Sequence, residues 1–475
     1  MRLRTHIKRQ RHILTSSGMI TFERYILLAS DAESAEKLEK LGRPKTIAPL
    51  DELLRIDNLP FKMTVAVMLD VAREGIQSSS YKEAAEKLRE RYSLKTKTSS
   101  ERNTDSENDE TKEDGIICTS RVREVTNYIG KMVFLENCRK ARRAKWEYEN
   151  CQILMPKTEE DVLYLMTDGA ALNTRQKVKQ DDGNESSWKE NKLGVVFRAS
   201  HIRRWTVKNE DGTQEERHSI LKREYSSYTG GIDEFKWHLL GLALRNGYGK
   251  VNTFVIISDG SHWITGLRKE LFPDAVHILD LFHLKENVFE YFKGIFKVKD
   301  ESKGKNKDQA DLWTKNVCEQ LEAGKWKEVL DELEQFKDIS LPDNTVDLPE
   351  YLNNHNDMLD YPAYINKGYF VGSGIIESGH KTVMQVRLKG PGMRWNVPTA
   401  RYVLALREKL KSELWEKDVI LYVKNQMLEL QCIPERLPRN EDDIKKAEDK
   451  DIEQAKVLEK QVWKKKRIRN THCQA

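Results

Sequence analysis

The chain has 475 residues, of which 38% are hydrophobic and 33% are charged, so packed cores are possible under a heavily charged surface. This length predicts two or three domains, and the net charge of +5 is compatible with nucleic acid as a partner without proving it. No apolar run reaches the length of a membrane span, and no signal peptide follows the basic N-terminus. The six cysteines form no CxxC pair. This argues against a disulfide framework or a cysteine zinc site and favours a reducing cytoplasm.

Residues 1–150 are expected to form a basic arm followed by a mostly α-helical region with a helix-turn-helix-like arrangement. A short strand is predicted at ITFERYILL, after the basic arm. Ser80, with Glu83 three residues later, predicts the start of a helix over SYKEAAEKLRERY. This helix and TSRVREVTNYIG resemble the two helices of a DNA-reading module, in which Arg121 and Arg123 would contact DNA. The alternative is an amphipathic helix pair that only packs.

Residues 95–115 are polar, acidic and nearly free of apolar side chains. Such a composition predicts a disordered insertion, which here would separate the two helices of the DNA-binding region.

From residue 160 the pattern changes to that of an α/β core. Apolar runs at DVLYLMTDGA, KLGVVFRAS and HSILKREYSSYT predict three antiparallel strands, and a helix, a strand, a helix and a further strand follow. This is the element order of an RNase H-like sheet with helices packed on it. We therefore expect the first part of an RNase H-like core over residues 160–299.

The core pattern is interrupted before it resumes. Residues 300–366 are predicted to be an all-α insertion, in which Trp313 and Trp326 are core residues, or else one of them is exposed and stacks on an unpaired base. Residues 367–415 return to the core with a helix that carries Glu377, and residues 416–475 form a charged helical tail.

Two buried strands are followed by the same dipeptide, Asp168-Gly169 and Asp259-Gly260. An acid at the end of a strand lies at the rim of the sheet, and the glycine permits a sharp turn. One such pair is usually a turn or a helix cap. Two pairs on neighbouring strands indicate a site.

Glu377 is the third carboxylate, at the start of a predicted helix. Its position also suits an acid that only complements the helix dipole. The same helix carries His380, Lys381, Arg387 and Lys389, a basic face suited to a phosphate backbone. Three carboxylates fit Mg²⁺ or Mn²⁺ rather than zinc, and two such ions can support in-line displacement at phosphorus.

Asp280 and His283 follow the strand AVHIL and can face the same side where strand becomes helix. With this DLFH pair, the motifs LMTDGAALNTR, FVIISDGSHWI and GSGIIESGHKTVMQVRLKGPGMRW resemble those of DDE transposases of the Mutator-type group. More narrowly, the chain is similar to bacterial insertion-sequence transposases of the ISLre type, from about residue 15 to about residue 410. The resemblance implies that Asp168, Asp259 and Glu377 are catalytic and bind the metal, with Asp280 and His283 as an accessory pair.

The expected activity is divalent-metal-dependent cleavage and strand transfer at the ends of the protein's own insertion sequence. The expected partner is double-stranded DNA, both transposon ends and target, bound by a homo-oligomer at the nucleoid. Two alternatives remain open: an RNase H-like nuclease such as a resolvase, and a catalytically silent DNA-binding protein descended from a transposase.

Overall fold

The computed structural model describes residues 2–40, 46–57, 59–94, 116–150, 158–179, 185–208, 214–298, 305–342 and 345–432. Two compact units are present in this mixed α/β structure: the residues up to Val67 together with those from Leu421 onward, and Met68–Ile420. The insertion predicted at 95–115 and the tail beyond Cys432 lie outside the described residues. None of the helices in these ranges combines the length and the apolar character required to cross a bilayer.

The strands of the described ranges are β1 (Leu3–Thr15), β2 (Gly18–Ala29), β3 (Thr46–Ile47), β4 (Glu159–Lys179), β5 (Glu185–Arg198), β6 (Ile202–Lys208), β7 (Gln214–Ile220), β8 (Arg223–Thr229), β9 (Val251–Ser258) and β10 (Val276–Leu279). The α-helices are α1 (Ala32–Lys40), α2 (Pro49–Leu53), α3 (Val65–Gln77), α4 (Tyr81–Arg91), α5 (Thr119–Glu149), α6 (Ile232–Asn246), α7 (His262–Leu271), α8 (Leu281–Ile295), α9 (Lys305–Glu322), α10 (Trp326–Leu333), α11 (Leu348–Asn354), α12 (Tyr361–Asn366), α13 (Gly374–Gly379), α14 (Val386–Leu388), α15 (Val397–Lys411) and α16 (Leu421–Cys432).

The first unit is built on a hairpin of β1 and β2, which are antiparallel, with β3 at the other edge of β2. The strand predicted at ITFERYILL is confirmed as part of β2. The basic arm before it is also a strand, because β2 supplies hydrogen-bond partners along its length. The carboxylate of Asp51, only 2% exposed, forms ion pairs with Arg11 at 2.6 Å and Arg24 at 2.7 Å. These pairs fasten α2 to both strands.

The helix start predicted at Ser80 is confirmed. The Ser80 hydroxyl accepts a hydrogen bond from the Glu83 backbone N–H at 3.1 Å, and the Glu83 carboxylate accepts one from the Ser79 N–H at 2.9 Å. Side chains thus satisfy N–H groups that have no partner within the helix. The second predicted helix is α5, which packs against α4, α6 and α15.

The second unit contains a five-stranded sheet in the order β10-β9-β4-β5-β8. Strand β5 is antiparallel to both of its neighbours, β4 and β8, whereas β9 is parallel to β4 and β10 is parallel to β9. The segment HSILKREYSSYT was expected to be one strand but is two. Its first residues form β7, which pairs with β6 in a separate hairpin, and only Arg223–Thr229 joins the sheet.

Helix α6 covers one face of this sheet. Phe235 and Leu239 of α6 pack with Leu163 of β4 and Ile256 of β9, and all four side chains are at most 1% exposed. The apolar runs that predicted β4 and β9 are therefore core strands, as expected for parallel strands covered by helices. The helix ends at Gly247, whose φ of 112° gives the left-handed cap that favours glycine.

The segment expected to be all-α is helical in its described part, with α9 to α12. Trp313 lies in an aromatic cluster, with its ring centroid 5.6 Å from Phe292 and 5.1 Å from Phe336. Trp326 lies beneath Lys327, whose ammonium is 5.4 Å from the ring centroid. Both indoles are half-buried, so the structure does not place them both in a closed core.

The helix predicted at Glu377 is present but is not continuous. Helix α13 passes into a π-helical segment, His380–Gln385, before α14. Such π-segments are rare, and they are frequent at functional sites. Helix α15 follows after a loop, where its packing against α5 and β8 returns the chain to the sheet.

Candidate metal centre

Asp168 and Asp259 lie level with each other on neighbouring parallel strands. Met166 of β4 pairs with Ile257 of β9, and each aspartate follows two residues later. The two aspartates are therefore close to each other, and the charge of Asp259 acts on Asp168. The prediction that β9 ends at Asp259 is confirmed. The prediction that β4 ends at Asp168 is wrong, because β5 remains paired with β4, which continues to Lys179.

Of the two glycines that follow these aspartates, Gly260 lies in a sharp turn and Gly169 does not. Gly260 has a φ of 82°, and a Cβ there would lie 2.6 Å from His355 Nε2 and 2.7 Å from Leu279 Cδ1. The sharp turn predicted after Asp259 is therefore real and requires glycine. Gly169 lies within β4, so the sharp turn predicted there is absent.

Asp280 joins the end of β10 to the loop before α13. One of its oxygens accepts hydrogen bonds from the backbone N–H groups of Phe282 and Ser373, each at 3.1 Å. The other accepts from the Ser373 hydroxyl at 2.5 Å and from His283 Nδ1. Burial raises the pKa of Asp280, but these hydrogen bonds outweigh burial and hold the pKa below its usual value.

Glu377 lies close to Asp280, because the hydrogen bonds between Asp280 and Ser373 hold the start of α13 beside the end of β10. Among the described residues, Asp280, His283 and Glu377 form a group whose potential ligand atoms all lie within 4.8 Å of one another. The group could therefore hold a metal ion. Asp280 is fully buried and each of its oxygens already accepts two hydrogen bonds, which fills the roughly four lone-pair positions of a carboxylate. We therefore assign the open ligand positions to Glu377, which is exposed, and to His283, whose Nδ1 is held by Asp280.

The pKa values indicate that the Asp168–Asp259 pair and His283 act on each other electrostatically. The pKa of Asp168 is raised to about 6, mainly by burial and also by the charge of Asp259, while the hydrogen bond from the Gly169 N–H and the charge of His283 lower it. The hydrogen bond to Asp280 raises the pKa of His283 to about 9, with burial opposing it and Asp259 adding to it. The predicted acids and the accessory pair thus lie within range of one another's charges.

His380 is a residue that sequence reasoning assigned to an exposed basic face. It is instead 3% exposed, with Nε2 3.4 Å from Asp168 Oδ2. Burial lowers its pKa to about 4, so the ring is neutral at pH 7. The π-helical segment begins at this residue and places the imidazole beneath the sheet edge.

The helices between α8 and α13 support the same region through groups that the sequence did not indicate. The Tyr351 hydroxyl donates to the Asp259 carbonyl at 2.8 Å, and the Tyr361 hydroxyl donates to the Leu279 carbonyl at 3.0 Å. His355 lies 2.7 Å from the Gly260 carbonyl. The expected all-α segment therefore contacts the ends of β9 and β10 directly.

Four of the five residues predicted to bind DNA have exposed or partly exposed side chains. Arg121 lies in the first turn of α5 and pairs with Glu124 at 2.9 Å. Arg123 is exposed on the same helix, and Lys381 and Lys389 are exposed near the π-segment. These positions are compatible with the prediction, which they do not test.

Arg387 departs from the exposed basic face expected of it. Its side chain is 2% exposed, and its Nε donates to the Gly75 carbonyl at 3.0 Å. The guanidinium carbon lies 4.5 Å from the Tyr81 ring centroid and 5.2 Å from that of Trp395. The side chain is buried because the two rings enclose it, so it cannot be part of an open face on this helix.

No protein family model matches the chain, and no curated protein matches it. Among solved structures, the Drosophila P element transposase strand transfer complex is similar at 10% sequence identity and a TM-score of 0.32. The similarity covers 79% of this chain and 97% of that one. At this identity and TM-score the similarity assigns neither a fold nor an activity.

Proposed function

We propose that this protein is a DDE transposase that cleaves DNA and joins it to a target with the aid of divalent metal ions. The observation that carries the proposal is the group of potential metal ligands formed by Asp280, His283 and Glu377. Asp168 lies near this group, because the charges of Asp259 and His283 both act on it. The charge of Asp259 contributes to the raised pKa of Asp168, and a cation bound between the two carboxylates would relieve their repulsion.

The strand order supports assigning the sheet to the RNase H-like class. Three antiparallel strands are followed by two parallel ones, with helices after β8, β9 and β10. We assign α9 to α12 to an insertion between the last core strand and the Glu377 helix. In the narrower proposal the protein is of the ISLre type, with its own insertion-sequence ends and target DNA as substrates, and acts as a homo-oligomer at the nucleoid.

The donor set fits Mg²⁺ or Mn²⁺. Carboxylates of Asp168, Asp259 and Glu377 are hard oxygen donors, and the His283 nitrogen is also acceptable to Mn²⁺. Two bound ions would supply activation of a water or a 3′-hydroxyl and charge stabilisation at phosphorus. Asp280 positions His283 and, through Ser373, the start of the Glu377 helix. Neutral His380 packs against Asp168 from the protein side.

The proposal is tested with duplexes that carry the inverted repeats flanking the coding region. We expect cleavage and strand transfer with Mg²⁺ or Mn²⁺, and binding without cutting with Ca²⁺, whose looser geometry suits in-line displacement poorly. Full activity in chelator would overturn the metal requirement. Cleavage without joining would instead identify a nuclease, and binding alone would identify a silent descendant of a transposase.

Substitutions test whether cleavage depends on the three proposed catalytic acids or on negative charge anywhere in the protein. Asp168→Asn, Asp259→Asn and Glu377→Gln should each abolish cleavage while end binding persists. Asp311→Asn is the matched control, because Asp311 is exposed on α9 outside the acid cluster. If any of the three variants retains parental cleavage, that residue is not catalytic.

A further inference from the structure

A second site lies in the same unit, in a cleft of about 630 Å³. It is lined by the start of α4, one side of α5, the far end of β4, and the loop between α14 and α15. Arginines 123, 175, 387 and 394 contribute to its wall, and no acidic residue is among the described residues that line it. Four cations without a carboxylate in one concave surface indicate an anionic ligand.

Arg387 forms the base of this cleft and is held in a fixed orientation. Its Nε is occupied by the Gly75 carbonyl, and the rings of Tyr81 and Trp395 enclose its guanidinium. Its Nη2 is buried and has no hydrogen-bond partner among the described residues. A buried donor without a partner is unfavourable, and more so when the group is charged. The base of the cleft thus offers a preorganised donor.

Two further polar atoms at the cleft are also buried without a partner in the described part of the chain: the Tyr81 hydroxyl and the side-chain carbonyl of Asn127. The remaining arginines, Arg123, Arg175 and Arg394, are exposed around the opening, and none of them is ion-paired with a described carboxylate. The cleft therefore combines one fixed buried cation with three solvent-exposed ones.

We propose that this cleft binds the phosphate groups of a nucleic-acid strand. The guanidinium fork matches phosphate oxygens, and four arginines exceed the charge of a single phosphate group. Because Arg387 lies over one face of each ring and Trp395 is buried, the site recognises the sugar–phosphate backbone rather than a stacked base.

The position of the cleft relates it to the acid cluster. Arg387 follows Glu377 by ten residues of a nearly continuous helix, a distance of about 15 Å at 1.5 Å per residue. Arg175 lies on β4, the strand that carries Asp168, about 20 Å further on at 3.3 Å per residue. A strand held at the acids therefore reaches the cleft within a few nucleotides. This placement rests on the proposed function, whereas the chemistry of the cleft stands without it.

The test measures binding of a short, labelled single-stranded DNA by the full-length protein in chelator, so that no cutting occurs. Removing two phosphate contacts in Arg175→Ala/Arg394→Ala should make the negative slope of log K against log salt shallower by about 1.4 and reduce affinity roughly 15-fold near 0.15 M salt. Arg143→Ala is the control, since Arg143 is an exposed arginine further along α5 that lies outside the cleft. Arg387→Lys keeps the charge but not the fork and should also weaken binding.

The outcomes separate the possible sources of phosphate. An unchanged salt slope in the double variant, with its thermal unfolding unaltered, overturns the proposal, and so does an equal loss in Arg143→Ala. Loss of deoxynucleoside triphosphate binding with strand binding intact would make the ligand a free nucleotide and overturn the assignment to a strand. Because no metal is present, failure of catalysis cannot produce any of these results.

Discussion

Asp280→Asn is the most informative single change at the candidate metal centre. The substituted amide keeps one oxygen, which can still accept from the N–H groups of Phe282 and Ser373. Its NH₂ replaces the oxygen that accepts from the Ser373 hydroxyl and His283 Nδ1. The hydroxyl can rotate and accept instead. His283 can remain hydrogen-bonded only if Nδ1 becomes an acceptor and the proton moves to Nε2, the nitrogen that would otherwise be free to bind a cation.

The size of the effect follows from the four hydrogen bonds that Asp280 accepts. Hydrogen bonds to a charged group contribute about 1.5–3 kcal/mol each and neutral ones about 0.5–1.5 kcal/mol. Loss of the charge also removes the cost of burying it, so we expect a net destabilisation of about 1–3 kcal/mol with the fold retained. Groups that orient a metal ligand typically contribute 10–100-fold to metal affinity. We therefore expect Mn²⁺ affinity to fall by about that factor.

Three measurements check this prediction: urea unfolding, Mn²⁺ titration by calorimetry, and the ring nitrogen shifts of His283 by NMR. Because the pKa of His283 in the parent is raised to about 9, the shifts are compared above that pH, where the neutral ring of the parent should carry the Nδ1 proton and that of the variant the Nε2 proton. Ser373→Ala is the matched control, because it removes one of the same hydrogen bonds without changing the tautomer of His283. Parental Mn²⁺ affinity in a folded Asp280→Asn variant would refute the reasoning, and so would an unchanged tautomer.

Three other predictions follow from the same structure. Gly260→Ala should destabilise the protein by about 1–3 kcal/mol and slow cleavage, because φ is 82° and the new Cβ meets His355. The control is Gly266→Ala, in open space on α7, which should be neutral or slightly stabilising. Burial raises the pKa of Glu408 to about 7 from 4.5, so its proton is retained on folding and stability should fall as pH rises from 4.5 to about 7. Glu408→Gln should remove that slope and be more stable than the parent above pH 7, by up to about 3 kcal/mol at 1.36 kcal/mol per pKa unit; equal slopes in chemical unfolding would contradict this. Deleting residues 97–114 from the full chain should leave end binding within about two-fold if the stretch is a disordered insertion, and a folded but non-binding variant would argue against it.

Local signals in the sequence predicted local structure well. The Ser80 cap and its Glu83 partner determine α4 because both depend only on residues within one helical turn. The apolar runs of β4 and β9 predicted core strands for the same reason. Where a strand ends is decided by its partners instead. Nothing near Asp168 encodes the continued pairing with β5, so the predicted end of β4 was wrong.

The candidate site was only partly accessible to the same reasoning. Asp168, Asp259 and the Asp280–His283 pair were selected from their positions after predicted strands, and Glu377 from its position at the start of a predicted helix. The burial of His380 and Arg387 could not, because both residues read as members of a basic helical face. Their burial depends on a π-helical segment and on aromatic rings from distant parts of the chain. The arginine cleft is assembled from four separate elements and has no contiguous signal.

The hydrogen bonds from Ser373 to Asp280 also bear on how this architecture could change over time. The Leu281 N–H donates to the Val371 carbonyl at 2.9 Å, so the chain leaves the sheet and returns to it at the same point. The segment between Leu281 and Val371 is therefore a connection whose two ends are held together by hydrogen bonds. Lengthening such a connection costs little closure entropy. Helices α9 and α10, which do not supply the tyrosines that hold the strand ends, could be enlarged, shortened or exchanged between homologues without moving the acids.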